Sequence, residues 1–151
     1  MLEPTEMCEF TSLERCAAYV AARTVLTVVQ RTAPRWPAAL GDRACRAAIA
    51  TAQQIAQAIA HDQVTAERRR HLRGALASAL AVAAAVDLAA VDLAGPNGDA
   101  LDGELDELTC VTGRTIALLG MLLHASTTLG VSQRMASQQE RTTHYQRARR
   151  K

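Results

Sequence analysis

The stretch LDGELDELTCVTGRTIALLGMLLHASTTL, residues Leu101 to Leu129, repeats small or apolar side chains at alternating steps of four and three. The series is Leu101, Leu105, Leu108, Thr112, Thr115, Leu119, Leu122, Ser126 and Leu129. A mean period of about 3.5 residues keeps one stripe of a long helix facing its neighbours, as left-handed bundles require. The hydroxyls at Thr112, Thr115 and Ser126 have carbonyls one turn earlier to bond to, so polar members of the seam need not be orphaned.

The rest of the chain reads as helices that this seam would pack against. The 31 alanines favour helix, whereas the four aromatic residues Phe10, Tyr19, Trp36 and Tyr145 are too few to build a bulky core. Close approach of helices over alanine, near 8 Å between axes, supplies the packing instead.

A first helix is predicted over Ser12 to Arg31, opened by Thr11 and Glu14 at capping-box spacing, with Leu13, Cys16, Ala17, Val20, Thr24 and Val28 inward. Pro34 and Pro37 interrupt it, and Trp36 between them reads as a hydrophobic plug over the bundle end rather than a base-stacking platform. A second helix, Ala38 to Ala60, carries a stripe at Leu40, Ala44, Ala48, Thr51, Ile55 and Ile59. Thr65 caps a third, whose inward set is Leu72, Leu76, Leu80, Ala83, Val86 and Val91, and Gly95-Pro96-Asn97-Gly98 stops it. The fourth starts after Asp99 or Asp102, with acids at its N-terminus where the macrodipole favours them, and its seam ends at Gly130 as a C′ glycine.

These lengths and short loops predict an all-α, up-down antiparallel four-helix bundle over residues 1–130, followed by a basic tail, 131–151, of disordered or frayed-helical character. Residues 75–94 are nearly all Ala, Val and Leu, but Asp87 and Asp92 would each cost about 2.5–3.5 kcal/mol near a bilayer centre. That run reads as a buried helix of a soluble bundle, with no membrane partner. The first ten residues carry three glutamates and no apolar run, so no secretory signal is expected there. Cys8, Cys16, Cys45 and Cys110 lack C-x-x-C spacing and read as small core residues in a reducing, cytoplasmic setting.

Charge is segregated behind a net of +2. Residues 1–30 hold two arginines against four acids; residues 31–73 hold eight against three; residues 74–130 hold Arg114 against seven acids. Residues 131–151 hold five arginines and Lys151 against Glu140. Such alternation suits an acidic partner for the basic parts, or complementary surfaces between copies. Arg43 and Arg46, with Arg68, Arg69, Arg70 and Arg73, flank one turn and are expected to converge at one end of the bundle. Arg141, Arg147, Arg149, Arg150 and Lys151 leave two readings of the tail open, an electrostatic arm for phosphates or a solvated terminus with no specific role. Arginine suits phosphate because its planar fork donates paired hydrogen bonds. Because three successive arginines fan around a helix, some of them are expected to be ordinary solvated or ion-paired side chains.

No nucleophile with a base, glycine-rich phosphate loop or useful carboxylate pair is visible, so no catalytic residue is expected. The histidines at 61, 71, 124 and 144 make neither E-x-x-H nor H-E-x-x-H, so no metal and no cofactor are expected.

Arg46-Ala47-Ala48-Ile49-Ala50, then Gln54-Ile55-Ala56-Gln57, then Thr65, Glu67 and the arginine-rich approach to His71-Leu72 resemble a small four-helix bundle protein family. That family joins proteins encoded in ribosomal RNA intervening sequences with the accessory variability determinants of diversity-generating retroelements. Ala52, Gln54, Gln57 and Ala58 stand where its common pattern has Pro, Asn, Glu and Gly, and Ala81 and Ala83 replace acids of the third helix. The chain is closer to the retroelement accessory branch. The resemblance implies a non-enzymatic protein that forms a homopentamer and binds a reverse transcriptase and structured RNA, or RNA/DNA, through basic surfaces. The competing reading from the residues is a protein–protein adaptor bundle with no nucleic-acid role.

Overall fold

A computed structural model of the chain describes residues 16–93 and 102–148, and the described residues are helical without a strand. Helix α1 is Ala17–Thr32, followed by a 3₁₀ turn, Ala33–Arg35. Helices α2, Ala38–Ile59, α3, Ala66–Leu93, and α4, Asp102–Ala148, complete it. The protein is therefore all-α.

Local chemistry explains most of these limits. Pro34 opens the 3₁₀ turn, where its missing N–H is not needed, and Pro37 immediately precedes α2. Thr65 caps α3 as expected: its Oγ1 accepts the Arg68 N–H at 3.2 Å and donates to the Asp62 carbonyl at 2.9 Å. The Thr11–Glu14 capping box and the Gly95–Gly98 stop lie outside the described residues.

One boundary is corrected. Helix α4 does not stop at Gly130 but continues to Ala148, and no described glycine has a positive φ. A glycine costs about 1 kcal/mol relative to alanine inside a helix, yet it ends one only by turning left-handed. Residues 131–148, read from composition as a disordered or frayed-helical tail, are helix throughout. At about 1.5 Å per residue, α4 is about 70 Å long and α3 about 42 Å.

Two packed clusters form the core. One gathers Val28, Val29, Trp36, Ala48, Val86 and Leu108 among others; the second gathers Ala22, Ile55, Ala58, Leu72, Ala75 and Leu119. Along the chain α1 passes from the second cluster to the first, α2 returns, α3 passes forward again and α4 returns. Trp36, 5% exposed, is the expected apolar plug.

The seam of α4 is buried at Leu105, Leu108, Thr112, Thr115, Leu119 and Ser126, is partly buried at Leu122, and emerges at Leu129. Residues 131–141 are all exposed, so α4 runs on beyond its last buried contact. Its polar members divide three ways. Thr115 bonds the Val111 carbonyl at 2.8 Å as expected, Ser126 reaches the Gln63 carbonyl at 2.6 Å instead, and Thr112 Oγ1 has no partner among the described residues.

The inward faces differ from expectation where alanine competes with larger residues. Helix α1 buries Ala18, Ala21, Ala22, Val25, Val28, Val29 and Thr32, while Ala17, Val20 and Thr24 face out; Leu13 lies outside the described residues. Helix α2 keeps Ala44, Ala48, Thr51 and Ile55 inside as read, with Leu40 and Ile59 half-buried. Helix α3 buries Leu72, Ala75, Ala79, Val82, Ala85, Val86 and Ala89, leaves Leu76 and Ala83 half-buried, and turns Leu80 and Val91 outward. The alanine face wins because it lets backbones approach closely, and the leucines are then placed on the other side. The described part of the apolar run, residues 75–93, is therefore not buried all round. By length and composition alone, α3 and the Gly103–Arg141 part of α4 are each apolar enough to cross a membrane.

Cys16 and Cys45 pack at the edges of the two core clusters, and Cys110 departs from the expected core role. Cys16 and Cys45 are half-buried and Cys110 is exposed, while Cys8 lies outside the described residues. Burial, and secondarily the Asp42 charge, push the Cys45 thiol up.

Glycines test the packing with opposite signs. A Cβ on Gly41 would sit 2.8 Å from the Ala33 carbonyl oxygen, whereas at Gly113 and Gly120 nothing lies within 4 Å. Urea denaturation is expected to find Gly41→Ala destabilising by about 1–3 kcal/mol. Gly113→Ala and Gly120→Ala are expected to gain up to about 1 kcal/mol each. Thiol alkylation at mildly alkaline pH is expected to modify Cys110 before Cys45, because a raised pKa leaves less thiolate.

Candidate nucleic-acid interface

The arginines at the head of α3 separate by the roughly 100° that each helical residue turns. Arg68 folds back, its Nη1 donating to the carbonyls of His61 at 3.1 Å and Ala58 at 3.4 Å, so it satisfies acceptors left open at the end of α2. Arg69 donates from Nη1 to the Val64 carbonyl at 2.8 Å. Arg70 and Arg73 are exposed. Arg68 is thus largely a structural group of the α2–α3 turn.

The same turn is held from two further sides. His71 Nδ1 lies 2.8 Å from Gln54 Oε1, and its ring stacks on His61 with centroids 5.5 Å apart and planes 11° from parallel. Ser126 Oγ, on α4, donates to the Gln63 carbonyl. A connection of six residues, 60–65, is therefore tied to α2, α3 and α4 at once.

Against this turn lies Gly130. A Cβ there would stand 3.1 Å from Arg69 Nη1, so the glycine is a notch that admits the guanidinium to the side of α4. Around the notch is an open cleft of about 370 Å³ bounded by Arg69, Gly130, Gln133, Arg134, Ser137 and Arg141. Val64 and Gln138 complete the lining, and no acidic residue belongs to it. Three guanidinium groups in one concavity, with amide and hydroxyl groups beside them, form a set of donors whose geometry can match the oxygens of an anion.

The expected convergence of all six helix-borne arginines does not occur. Arg43 and Arg46 are exposed on the first half of α2, and Arg46 is 13 residues, about 20 Å of helix, before Ile59 at its end. Arg69 and Arg141 share the cleft; Arg70 and Arg73 lie just beyond on α3. The side chain of Arg147, and Arg149, Arg150 and Lys151, lie outside the described residues.

Two members of the basic segment are spoken for elsewhere. Arg31 meets Glu107 at 2.7 Å and Glu104 at 3.9 Å, and Arg35 also pairs with Glu104. These pairs join the end of α1 and the 3₁₀ turn to the acidic start of α4. With side chains up to half exposed, each contributes no more than about 1 kcal/mol.

Arg134 is the cleft residue that sequence reasoning missed. The signal was present: Gly130, Arg134, Ser137 and Arg141 repeat the seam's steps of four and three on the next face of the helix. Among the described residues no cluster of three His, Cys, Asp or Glu side chains gathers as a metal site. Compared with known proteins, the chain matches no family model, no curated protein and no solved structure.

Removing the Ser126 hydroxyl isolates the contribution of α4 to the turn. Ser126→Ala is expected to lower stability by about 1 kcal/mol in urea denaturation. Hydrogen exchange is expected to rise in residues 60–65 and stay unchanged around Trp36.

Proposed function

We propose that the protein is a non-enzymatic, oligomeric accessory protein that binds nucleic acid, structured RNA or RNA/DNA, and works beside a reverse transcriptase as in diversity-generating retroelements. The observation that carries the binding part is the acid-free cleft where Arg69, Arg134 and Arg141 face one volume. None of the three is ion-paired among the described residues, so their charge is available to phosphates. Arg70 and Arg73, and the more distant Arg43 and Arg46, extend the basic surface along the bundle. Arg147, Arg149, Arg150 and Lys151 belong to the same reading as the end of the arm.

The polymerase partner and the cytoplasmic setting come from the resemblance and from cysteine usage. An up-down antiparallel topology is part of the proposal; the alternation of α1 to α4 between the two clusters supports it. So does the pairing of the end of α1 with the start of α4.

The competing adaptor reading has one observation in its favour, the exposed apolar face of α3. RNA binding separates the two. Each phosphate contact adds about 0.7–0.9 to the slope of log affinity against log salt. Arg69→Glu/Arg134→Glu/Arg141→Glu is expected to lower binding to a structured RNA at least tenfold and flatten that slope by about 2–3. Equal affinity and slope for the triple variant would overturn the cleft assignment. Recovery of protein without RNA from cells would favour the adaptor.

A further inference from the structure

The face of α3 turned away from the core is apolar for about four turns, Ala77 to Val91, and carries opposite charges towards its two ends. Along it run Arg73, Ala77, Leu80, Ala84, Leu88 and Val91, spaced by four and three. Ala77 and Ala84 are exposed, as are Leu80 at 51%, Leu88 at 55% and Val91 at 77%. Arg70 and Arg73 mark the start of the stripe, Asp92 its end, Asp87 flanks Leu88 within it, and all four are exposed. None of these four is ion-paired among the described residues. A monomer gains nothing from a continuous apolar stripe of this length in water.

We infer that this face is the contact between two copies of the chain, which pair α3 against α3 in antiparallel sense about a two-fold axis. Sequence register and charge both select that arrangement. In an isologous contact, residue i meets residue j and j meets i. Setting Leu80 of one copy over Ala84 of the second also sets Ala77 beside Leu88 and Arg73 beside Val91 and Asp92. Leucine then meets alanine through the centre of the contact, as knobs-into-holes packing requires, and Arg73 meets Asp92 at its ends. Reversal brings the arginine end of each copy over the aspartate end of the other. A parallel pairing would stack arginine on arginine and aspartate on aspartate. A bilayer would accept the leucines but would have to take up Asp87, at the middle of the stripe's second half, without a counter-charge. The inference does not depend on the cleft at Gly130, which is formed by the α2–α3 turn and α4, but a two-fold contact admits only even copy numbers and so stands against the homopentamer that the family resemblance implies.

Native mass spectrometry of the full chain tests it, with sedimentation velocity as the solution measurement. The expected mass is two copies, or an even multiple. Leu80→Glu/Leu88→Glu is expected to halve that mass and leave the helical circular dichroism unchanged. Arg73→Asp is expected to weaken association at least tenfold, and Arg73→Asp/Asp92→Arg to restore it, because an antiparallel pair exchanges both charges together. A monomeric native chain, an odd-numbered ring, unchanged mass in the double glutamate variant, or no recovery on charge exchange would each overturn the pairing. So would a native chain that is monomeric in water and binds neutral phosphatidylcholine vesicles through Leu80 and Leu88.

Discussion

Close contact between helix backbones across alanine is the constraint on which the other features depend. Among the described residues half of the buried hydrophobic positions are alanine, including Ala22, Ala44, Ala58, Ala75 and Ala89. Such a contact gains dispersion energy by bringing main chains together rather than by interlocking large side chains. It tolerates little added volume, as the 2.8 Å separation between a Cβ on Gly41 and the Ala33 carbonyl illustrates. It also decides where the leucines go, because a helix that turns alanine inward must turn its larger residues somewhere else.

Basic character is distributed by the same geometry. Arg31 and Arg35 are held by the glutamates of α4, Arg68 by the carbonyls ending α2, and Arg69 by Val64 beside a glycine. The remaining arginines are sorted by helical rise, which carries Arg43 and Arg46 up α2 away from the turn. The arginines of residues 31–73 are in the folded chain structural, neutralised or exposed, and Arg69 is both held by Val64 and part of the cleft lining. Arg134 joins that lining from a segment read as tail.

How far the fold was legible follows from how each signal arises. The α4 seam and the α2 stripe were readable because one face of each helix is plainly more apolar than its neighbour, and Thr65 because its capping chemistry is local. The inward faces of α1 and α3 were not, because both carry apolar residues on two sides and single-helix periodicity cannot rank alanine against valine or leucine without knowing how close the neighbour comes. Gly130 failed differently. Its role is set by Arg69, 61 positions earlier, and a contact at that separation leaves no local mark. The cleft was half visible, since Arg69 and Arg141 were chosen on charge while Arg134, Gln133 and Ser137 needed the turn beside them.

Trp36 is the chain's single indole, buried in the cluster that holds Val86 and Leu108, with its Nε1 unpartnered among the described residues. The second cluster, with Ile55, Leu72 and Leu119, contains no indole, although Tyr19 packs against its edge. Tryptophan emission therefore samples one half of the core and is blind to the half beside the arginine turn. An optical melt and a backbone melt of this protein are measurements of different objects, and their coincidence or separation reports whether an alanine-built bundle transmits order from one end to the other.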